Sequence, residues 1–341
     1  MKSKNITIRE IAKITGVSVA SVSRTLNGLS GVGEETRKKI LETCEQVGYV
    51  PNTLARGLVL QKTQTIGVIM PDIASPFYSQ LMILAGLEAK RYGYQVLLCN
   101  SFRNYEMEIN YFNLLIGNQV EGILFFPVGE ESHRNIKQFL RYVPIISLNE
   151  MPKESEIPWV AADELFAGRL AAEHLIHCGC RKLVYIGYTK EGIAYRHRVE
   201  GFRKIIEEYQ IHGEVFESDT KPRGGFEQGY QKFCEFWEQK SFIPDGIVAS
   251  SDETACGILK ACRERGISVP EDLFLVGFDN IQAPLPTLTL TSVAISHWKH
   301  IKKSMEFLFC LKEVRAMSAD ERHVLIQPRL FENESCKRIV K

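Results

Sequence analysis

Polar and aromatic residues directly follow several short apolar runs in the larger, second part of the chain. Ser75, Phe77 and Tyr78 follow TIGVIM (65–70), and Asn149 ends PIISLN (144–149). In open α/β sheets, ligands bind beyond the carboxyl ends of the strands, so these side chains are candidate ligands. The full candidate set is Ser75, Phe77, Tyr78, Asn149, Asp163, Arg196, Arg198, Ser251 and Asp279.

An arginine and an aspartate with aromatic rings alongside suit the recognition of a carbohydrate. Charged side chains make bidentate hydrogen bonds to vicinal hydroxyls, and rings cover the apolar face of a sugar. Structural alternatives stay open for some members of the set. Asp163 and Asp252 immediately precede predicted helices, where N-capping is the alternative, and core packing is the alternative for Phe77.

A second constellation lies in the segment Val19-Ala-Ser-Val-Ser-Arg-Thr-Leu26. Its small side chains would let a helix enter the DNA major groove. There Arg24 can bond a guanine edge, and the methyl groups of Val19 and Ala20 can meet thymine methyls. The hydroxyl and polar residues around this segment are candidate phosphate or DNA ligands: Thr7, Ser18, Ser21, Ser23, Asn27, Thr36 and Lys38.

Three short helices are predicted to carry these residues. Thr7-Ile-Arg-Glu10 has the form of a capping box, and Gly16 ends the helix that it starts. Ser18 can cap the second helix, which Asn27-Gly28 closes. A third helix is predicted from about Glu34 to Val47. We expect Ile8, Ile11, Ala12 and Ile14 to form the buried face of the first helix. The arrangement is typical of a helix-turn-helix unit.

Charge separates this unit from the rest of the chain. Residues 1–62 hold ten Lys and Arg against five Glu, a net charge of +5, whereas the remaining residues hold 32 against 36, a net charge of −4. A basic module fused to a mildly acidic one indicates a nucleic-acid-binding head on a second domain. The alternative is a solvated cap that merely packs on that domain.

The rest of the chain alternates short apolar runs with helical stretches. Nine such runs, from TIGVIM (65–70) to DLFLVGFD (272–279), predict an α/β fold of parallel sheets flanked by helices. About 280 residues exceed what one sheet needs, so two lobes with a cleft between them are expected. No stretch approaches the roughly 18 apolar residues of a membrane span, so no membrane partner is expected.

These residues together resemble the LacI/GalR family of bacterial transcription regulators over nearly the whole chain. The resemblance is carried by IREIA (8–12), VSVASVSRTLNG (17–28), ETRKKILETCEQVGYVPN (35–52) and LARGL (54–58). In the second part it is carried by IGVIMPDIASPFYSQL (66–81), IVASSDETACGILKACRERGISVPEDLFLVGFDN (247–280) and IQPRLF (326–331).

The resemblance implies a hinge helix over residues 51–58 that folds in the DNA minor groove. Its DNA contacts would be Asn52, Ala55, Arg56 and Leu58, with Leu58 as a wedge between base pairs. Gly57 departs from the family pattern and costs about 1 kcal/mol in a helix interior.

The resemblance also implies a head and hinge over 1–61 and a core over 62–341 like the periplasmic sugar-binding proteins. The N-lobe would be about 63–161 with 293–322, and the C-lobe about 162–291 with 323–341. Effector contacts would fall on Phe77, Tyr78, Asn149, Arg198 and Asp279, supported by Asp163 and Ser251. The expected partners are a pseudo-palindromic operator in double-stranded DNA, a small-molecule effector and a second copy of the chain.

Three core positions depart from the family pattern, namely Glu150, Phe226 and Ile301. Glu150 disfavours an anionic ligand such as a sugar phosphate, so a neutral sugar is expected. The sequence therefore predicts a cytoplasmic, homodimeric DNA-binding regulator that needs no cofactor. The alternative is a cytoplasmic sugar-binding module without DNA-binding activity.

Two further possibilities are disfavoured by the motifs present. His174, His177, Cys178 and Cys180 crowd one helix end, but a zinc site needs four well-directed ligands and CxC is not a standard pair. The sequence has no GxSxG, Walker A or HExxH motif and no GxGxxG after a strand. Neither a metal site nor an enzyme is therefore expected.

Overall fold

A computed structural model describes residues 6–49, 62–152, 155–187, 192–217, 225–281 and 288–337. The chain divides into two compact units, Met1–Gln64 and Thr65–Lys341. Within the described ranges, no helix is both long enough and apolar enough to cross a membrane.

The first unit is built of three helices: α1 (Ile8–Thr15), α2 (Val19–Leu26) and α3 (Glu34–Gln46). The capping box at the start of α1 is confirmed, because the Thr7 amide donates to Glu10 Oε2 at 2.7 Å and the Glu10 amide donates to Thr7 Oγ1. Gly16 ends α1 with φ +72°, a conformation that favours glycine. A small core joins the three helices, formed by Ile11, Ala12, Val22, Ile40 and Cys44.

One position on α1 differs from the predicted apolar face. Ile14 is 56% exposed, whereas Thr15 is buried and donates from Oγ1 to the Ile11 carbonyl at 2.7 Å. Residues 8, 11, 12 and 15 follow the helical i, i+3, i+4, i+7 spacing, and residue 14 falls outside it. The expectation that Ile14 is buried is therefore wrong.

The second unit contains two six-stranded sheets, and all nine predicted runs form strands. The first sheet has the order β11-β5-β4-β3-β1-β2. Its strands are β1 (Thr65–Met70), β2 (Gln95–Asn100), β3 (Ile123–Phe125), β4 (Ile145–Ser147), β5 (Trp159–Ala162) and β11 (His323–Ile326). The helices along this part of the chain are α4 (Pro76–Arg91), α5 (Tyr105–Gly117), α6 (Glu130–Ile136), α11 (His297–Phe309), α12 (Leu311–Ala316) and α13 (Ala319–Arg322).

The second sheet has the order β12-β10-β9-β8-β6-β7. Its strands are β6 (Lys182–Gly187), β7 (His212–Glu217), β8 (Gly246–Ala249), β9 (Phe274–Phe278), β10 (Thr291–Ala294) and β12 (Arg329–Phe331). Its helices are α7 (Glu164–His177), α8 (Ile193–Glu208), α9 (Gly225–Gln239) and α10 (Asp252–Glu264). Strand β12 runs antiparallel to β10, and the other strand pairs described in both sheets are parallel.

Each sheet buries apolar side chains on both faces, as a parallel sheet between helices must. Neighbouring residues Val68 and Ile69 of β1 belong to different core clusters, because successive side chains of a strand point to opposite faces. Val184 and Tyr185 of β6 divide in the same way. The continuous apolar character of the runs, rather than an alternating pattern, follows from this double burial.

The chain crosses between the two sheets three times, after β5, after β10 and after β11. We call the described residues within 65–162 and 295–326 the first lobe, and those within 163–294 and 327–337 the second lobe. Two predicted boundaries need correction. Val293 and Ala294 belong to the second lobe, since Val293 pairs with Phe278 of β9. Residues 323–326 belong to the first lobe, since β11 pairs with β5.

Candidate functional site

A cleft of about 300 Å³ lies between the two lobes, at the carboxyl ends of their strands. Its walls come from both lobes, as the open-sheet argument predicts. Most of the predicted ligand residues line it: Ser75, Phe77, Tyr78, Asn149, Arg198, Ser251 and Asp279.

Two predicted ligand residues are not among the residues that line the cleft. Asp163 is the N-cap of α7, where it accepts from the Phe166 amide at 2.9 Å and from Gln327 Nε2 at 3.1 Å. The capping alternative for Asp163 is therefore confirmed. Arg196 is exposed on α8. It precedes the cleft-lining Arg198 by two positions, about 200° around the helix, and so faces elsewhere.

Two neighbouring residues at the start of α10 have different roles. Ser251 is the N-cap and accepts from the Thr254 amide at 3.1 Å, while also lining the cleft. Asp252 is buried behind it and accepts from Ser292 Oγ and from the Ile281 amide, each at 2.8 Å. The capping alternative for Asp252 is thus wrong. Burial, together with the nearby Asp279 carboxylate, raises the pKa of Asp252.

Arg198 is held in the wall of the cleft by a buried ion pair. Its Nε donates to Glu164 Oε2 at 2.8 Å and its Nη1 donates to the Ser250 carbonyl at 2.5 Å. The guanidinium also lies 4.0 Å from the ring centroid of Phe278. Because its partners fix the guanidinium plane, the N–H groups that these bonds do not use are preorganised for a ligand.

Asp279 occupies the end of β9 with a backbone conformation that is uncommon outside glycine. Its φ is +96°, and its amide donates to the Val293 carbonyl at 3.0 Å, which ties this turn to β10. Such strained positions cluster at ligand sites, where the surroundings over-determine them. Burial raises the pKa of Asp279 to about 7, against the opposing effect of the Arg198 charge.

Aromatic rings line the first-lobe side of the cleft. The ring of Phe77 makes edge contacts with Tyr78 at 5.0 Å, His297 at 5.3 Å and Phe126 at 6.0 Å between centroids. Phe77 is partly buried against the first-lobe core and also lines the cleft. Phe77 therefore both packs against the core and lines the cleft. The edge-to-face cluster stiffens this wall.

Several cleft residues were missed by the sequence reasoning, namely Arg103, Glu164, Tyr195, Gln228 and Glu253. Arg103 and Glu253 follow β2 and β8 closely, so the strand-end rule could have found them. Glu253 accepts a hydrogen bond from Ser75 Oγ at 2.8 Å, which joins the two lobes inside the cleft. Phe226, in contrast, is 44% exposed and is not a lining residue.

In the first unit, α2 presents an exposed face of small residues together with one arginine. Ser18, Val19, Ala20 and Arg24 are exposed, and Ser18 Oγ caps α2 by accepting from the Ser21 amide at 3.0 Å. The other candidate DNA ligands fall into three groups. Thr7 and Lys38 are exposed, and Thr7 caps α1, whereas Ser21, Ser23, Asn27 and Thr36 are half-buried. Asn52, Ala55, Arg56 and Leu58, with the rest of the predicted hinge helix, lie outside the described residues.

The side chains around His174 contact one another and the backbone. His174 Nε2 lies 3.6 Å from Cys178 Sγ, and Cys180 Sγ donates to the Asp245 carbonyl. Across the described ranges, no three His, Cys, Asp or Glu side chains are grouped to hold a metal ion.

Comparisons with known proteins agree with this architecture. The family described as "Bacterial regulatory proteins, lacI family" matches residues 7–52, and a periplasmic binding protein-like domain matches residues 172–336. Catabolite control protein A from Priestia megaterium is 35% identical over 283 residues, which cover 81% of this chain and 83% of that protein. The ribose operon repressor of Halalkalibacterium halodurans is 34% identical over 291 residues, or 84% and 83% of the two chains.

A solved structure shares the fold over almost the full length. The lac repressor dimer bound to operator and the anti-inducer ONPF superposes with a TM-score of 0.85 at 22% identity, covering 98% of this chain and 99% of that one. With relatives above 30% identity over most of their length, the membership implied by the sequence motifs is confirmed. The chain belongs to the lacI family of bacterial regulatory proteins.

Proposed function

We propose that the chain is a cytoplasmic, homodimeric transcription repressor whose operator affinity is set by a carbohydrate bound in the cleft. The observation that carries this proposal is the face of α2, where Val19, Ala20 and Arg24 are exposed in the same chain that builds the cleft around Arg198 and Asp279. A cytoplasmic sugar-binding module without DNA binding would have no use for that face.

The α2 face suits the major groove. Val19 and Ala20 have small side chains that end in methyl groups, so the helix backbone can approach the bases. Arg24 is the residue whose fork matches a guanine edge. Ser18 and Thr7, exposed at the N-termini of α2 and α1, are placed at helix ends, where backbone N–H groups favour a phosphate.

The cleft suits a small polyhydroxylated ligand. A rigid guanidinium at Arg198, a carboxylate at Asp279 and the amide of Asn149 converge on it, and Phe77 offers an aromatic surface. The similarity to a ribose operon repressor supports the same ligand class. A volume of about 300 Å³ is at the lower end of ordinary ligand pockets.

A second copy of the chain is favoured by the apolar surface of the first lobe. Ile83 and Leu87 on α4 are 63% and 59% exposed, and Leu97 and Leu98 on the neighbouring edge strand β2 are 40% and 45% exposed. Exposed apolar side chains on adjacent elements favour an interface between proteins. One small head also buries too little surface for tight specific binding, and two-fold symmetry doubles the contacts.

The test is the affinity of the full-length protein for an operator selected from random DNA. Arg24→Ala should weaken binding by about 1–3 kcal/mol and relax the preference at one base pair. Arg134→Ala, at an exposed position on α6 of the core, serves as the control and should leave binding unchanged. An Arg24→Ala protein with the same affinity and preference as the parent would exclude α2 as the recognition helix.

A further inference from the structure

The charges that line the cleft do not balance. Among the described residues that line the cleft, carboxylates at Asp72, Glu164, Glu253 and Asp279 face guanidinium groups at Arg103 and Arg198 only. The lining histidines add no positive charge near pH 7, because burial lowers the pKa of His297 and lowers that of His300 to about 4. The described part of the cleft wall therefore carries more negative than positive groups.

One of the two guanidinium charges in the described lining of the cleft is already neutralised. Arg198 is paired with Glu164 through Nε at 2.8 Å and through Nη2 at 2.6 Å, and both side chains are largely buried. Without this pair, the charged side chains that remain in the described lining are three carboxylates and one guanidinium, from Asp72, Glu253, Asp279 and Arg103. The remaining excess of carboxylates faces the space that a ligand would fill.

Asp279 is the carboxylate most in need of a partner. Among the described residues, none donates a hydrogen bond to its carboxylate oxygens, and burial raises its pKa to about 7. The Arg198 charge opposes this rise, and the nearby charges of Glu164 and Glu253 add to it. A cation brought into the cleft would stabilise this unfavourable charge and hold Asp279 in its ionised form.

Gln228 supplies a second, independent sign of a missing ligand. It lines the cleft and is only 7% exposed, and its Nε2 has no hydrogen-bond partner within the described part of the chain. A buried amide donor without an acceptor costs free energy, which a ligand oxygen would recover. The ligand must therefore offer an acceptor oxygen as well as positive charge.

We infer that the effector is a carbohydrate carrying a protonated amino group, with the ammonium held by Asp279 and Glu253 and an oxygen facing Gln228. An ammonium donates three hydrogen bonds and accepts none. It therefore suits two carboxylates whose oxygens accept too few hydrogen bonds from the protein. A neutral sugar would leave the excess charge uncompensated, and a sugar phosphate would add to it. The inference rests on the proposed function of the cleft and specifies its ligand class.

The test is calorimetric titration of the full-length protein with three matched pairs of sugars at pH 7.5: D-glucosamine and D-glucose, D-galactosamine and D-galactose, D-mannosamine and D-mannose. At least one amino sugar should bind about tenfold or more tightly than its hydroxyl partner. Its affinity should fall as the pH is lowered through about 7, because Asp279 then becomes protonated.

Isosteric variants without the negative charge test which carboxylates cause the preference for the amino sugar. Asp279→Asn and Glu253→Gln should each reduce the preference for the amino sugar about tenfold, while circular dichroism shows that the fold is kept. Asp320→Asn and Glu271→Gln remove the same charges from exposed positions and serve as matched controls that keep the preference.

Each other outcome overturns the inference in a recognisable way. Tighter binding of a neutral partner excludes the amine class but leaves the carbohydrate cleft of the proposed function intact. Binding of none of the six sugars overturns both the inference and the carbohydrate proposal, while operator binding and its loss in Arg24→Ala would still support the regulator. A preference that survives in Asp279→Asn and Glu253→Gln excludes these carboxylates as the ammonium site.

Discussion

Glu150 Oε2 and His197 Nδ1 lie 2.9 Å apart and join the two lobes beside the cleft. Glu150 follows β4 in the first lobe, and His197 lies on α8 in the second. Each is next in sequence to a cleft-lining residue, Asn149 or Arg198. A bond between residues so placed links the two lobes directly beside the groups that would hold the ligand.

This pair predicts a pH-dependent contribution to stability. The hydrogen bond and charge of Glu150 raise the pKa of His197, against a smaller opposing effect of its burial; Glu200 adds to the rise and Arg196 opposes it. A raised pKa in the folded state means that the contribution is complete below the unfolded value of about 6.5 and is lost as the pH rises through the folded pKa. His197→Gln should therefore destabilise the protein more at pH 6 than at pH 9.

Urea unfolding at the two pH values measures the effect. Because the pair is partly exposed, we expect a difference of up to about 1 kcal/mol. His177→Gln, at an exposed position on α7, is the matched control. An equal effect of His197→Gln at both pH values would show that the pair carries no charge-dependent stability.

The buried pair of Arg198 and Glu164 predicts that the double substitution costs less unfolding free energy than the sum of the two single substitutions. Their side chains are 8% and 13% exposed. Arg198→Met leaves Glu164 as an uncompensated buried charge and should cost about 3–5 kcal/mol of unfolding free energy. Adding Glu164→Gln to it removes that charge and should recover much of the loss. Additive costs in a double-mutant cycle, measured by urea unfolding, would contradict the pairing.

Gly168 on α7 predicts a steric effect at the contact with α8. A Cβ at this position would lie 1.9 Å from the Arg198 carbonyl oxygen, so Gly168→Ala must push the two helices apart. We expect a loss above about 2 kcal/mol, together with weaker ligand binding because Arg198 moves. Gly117→Ala, at the exposed end of α5 with nothing within 4 Å of the added Cβ, is the control. Thermal melts of both variants check this, and equal melting temperatures would exclude close packing at Gly168.

Much of this architecture could be predicted because local patterns determine it. The capping box of α1 and the nine apolar runs depend on residues close in sequence, and they formed as expected. The lobe assignment of β10 and β11 could not be predicted, since each is a run of four residues whose sheet is decided by a distant partner. Nothing in a run that short identifies its neighbour.

In the candidate site, too, local patterns predicted some residues, and only the fold identified others. Strand ends located Tyr78, Asn149, Arg198 and Asp279 in the cleft. The partner of Arg198 was missed because Glu164 is 34 positions away, and only the packing of α7 on α8 brings the two together. Arg196 was misassigned because two positions along a helix turn its side chain to the face opposite that of Arg198.

The most direct test of the account is the affinity of full-length protein for its selected operator, with and without the tightest-binding sugar of the six-sugar panel. Coupling between the cleft and the DNA-binding head predicts a change of about 5–150-fold in operator affinity on adding the sugar, and a much smaller change for Asp279→Asn at the same concentration. An operator affinity that stays the same while calorimetry shows the sugar bound would contradict the claim that the cleft controls DNA binding.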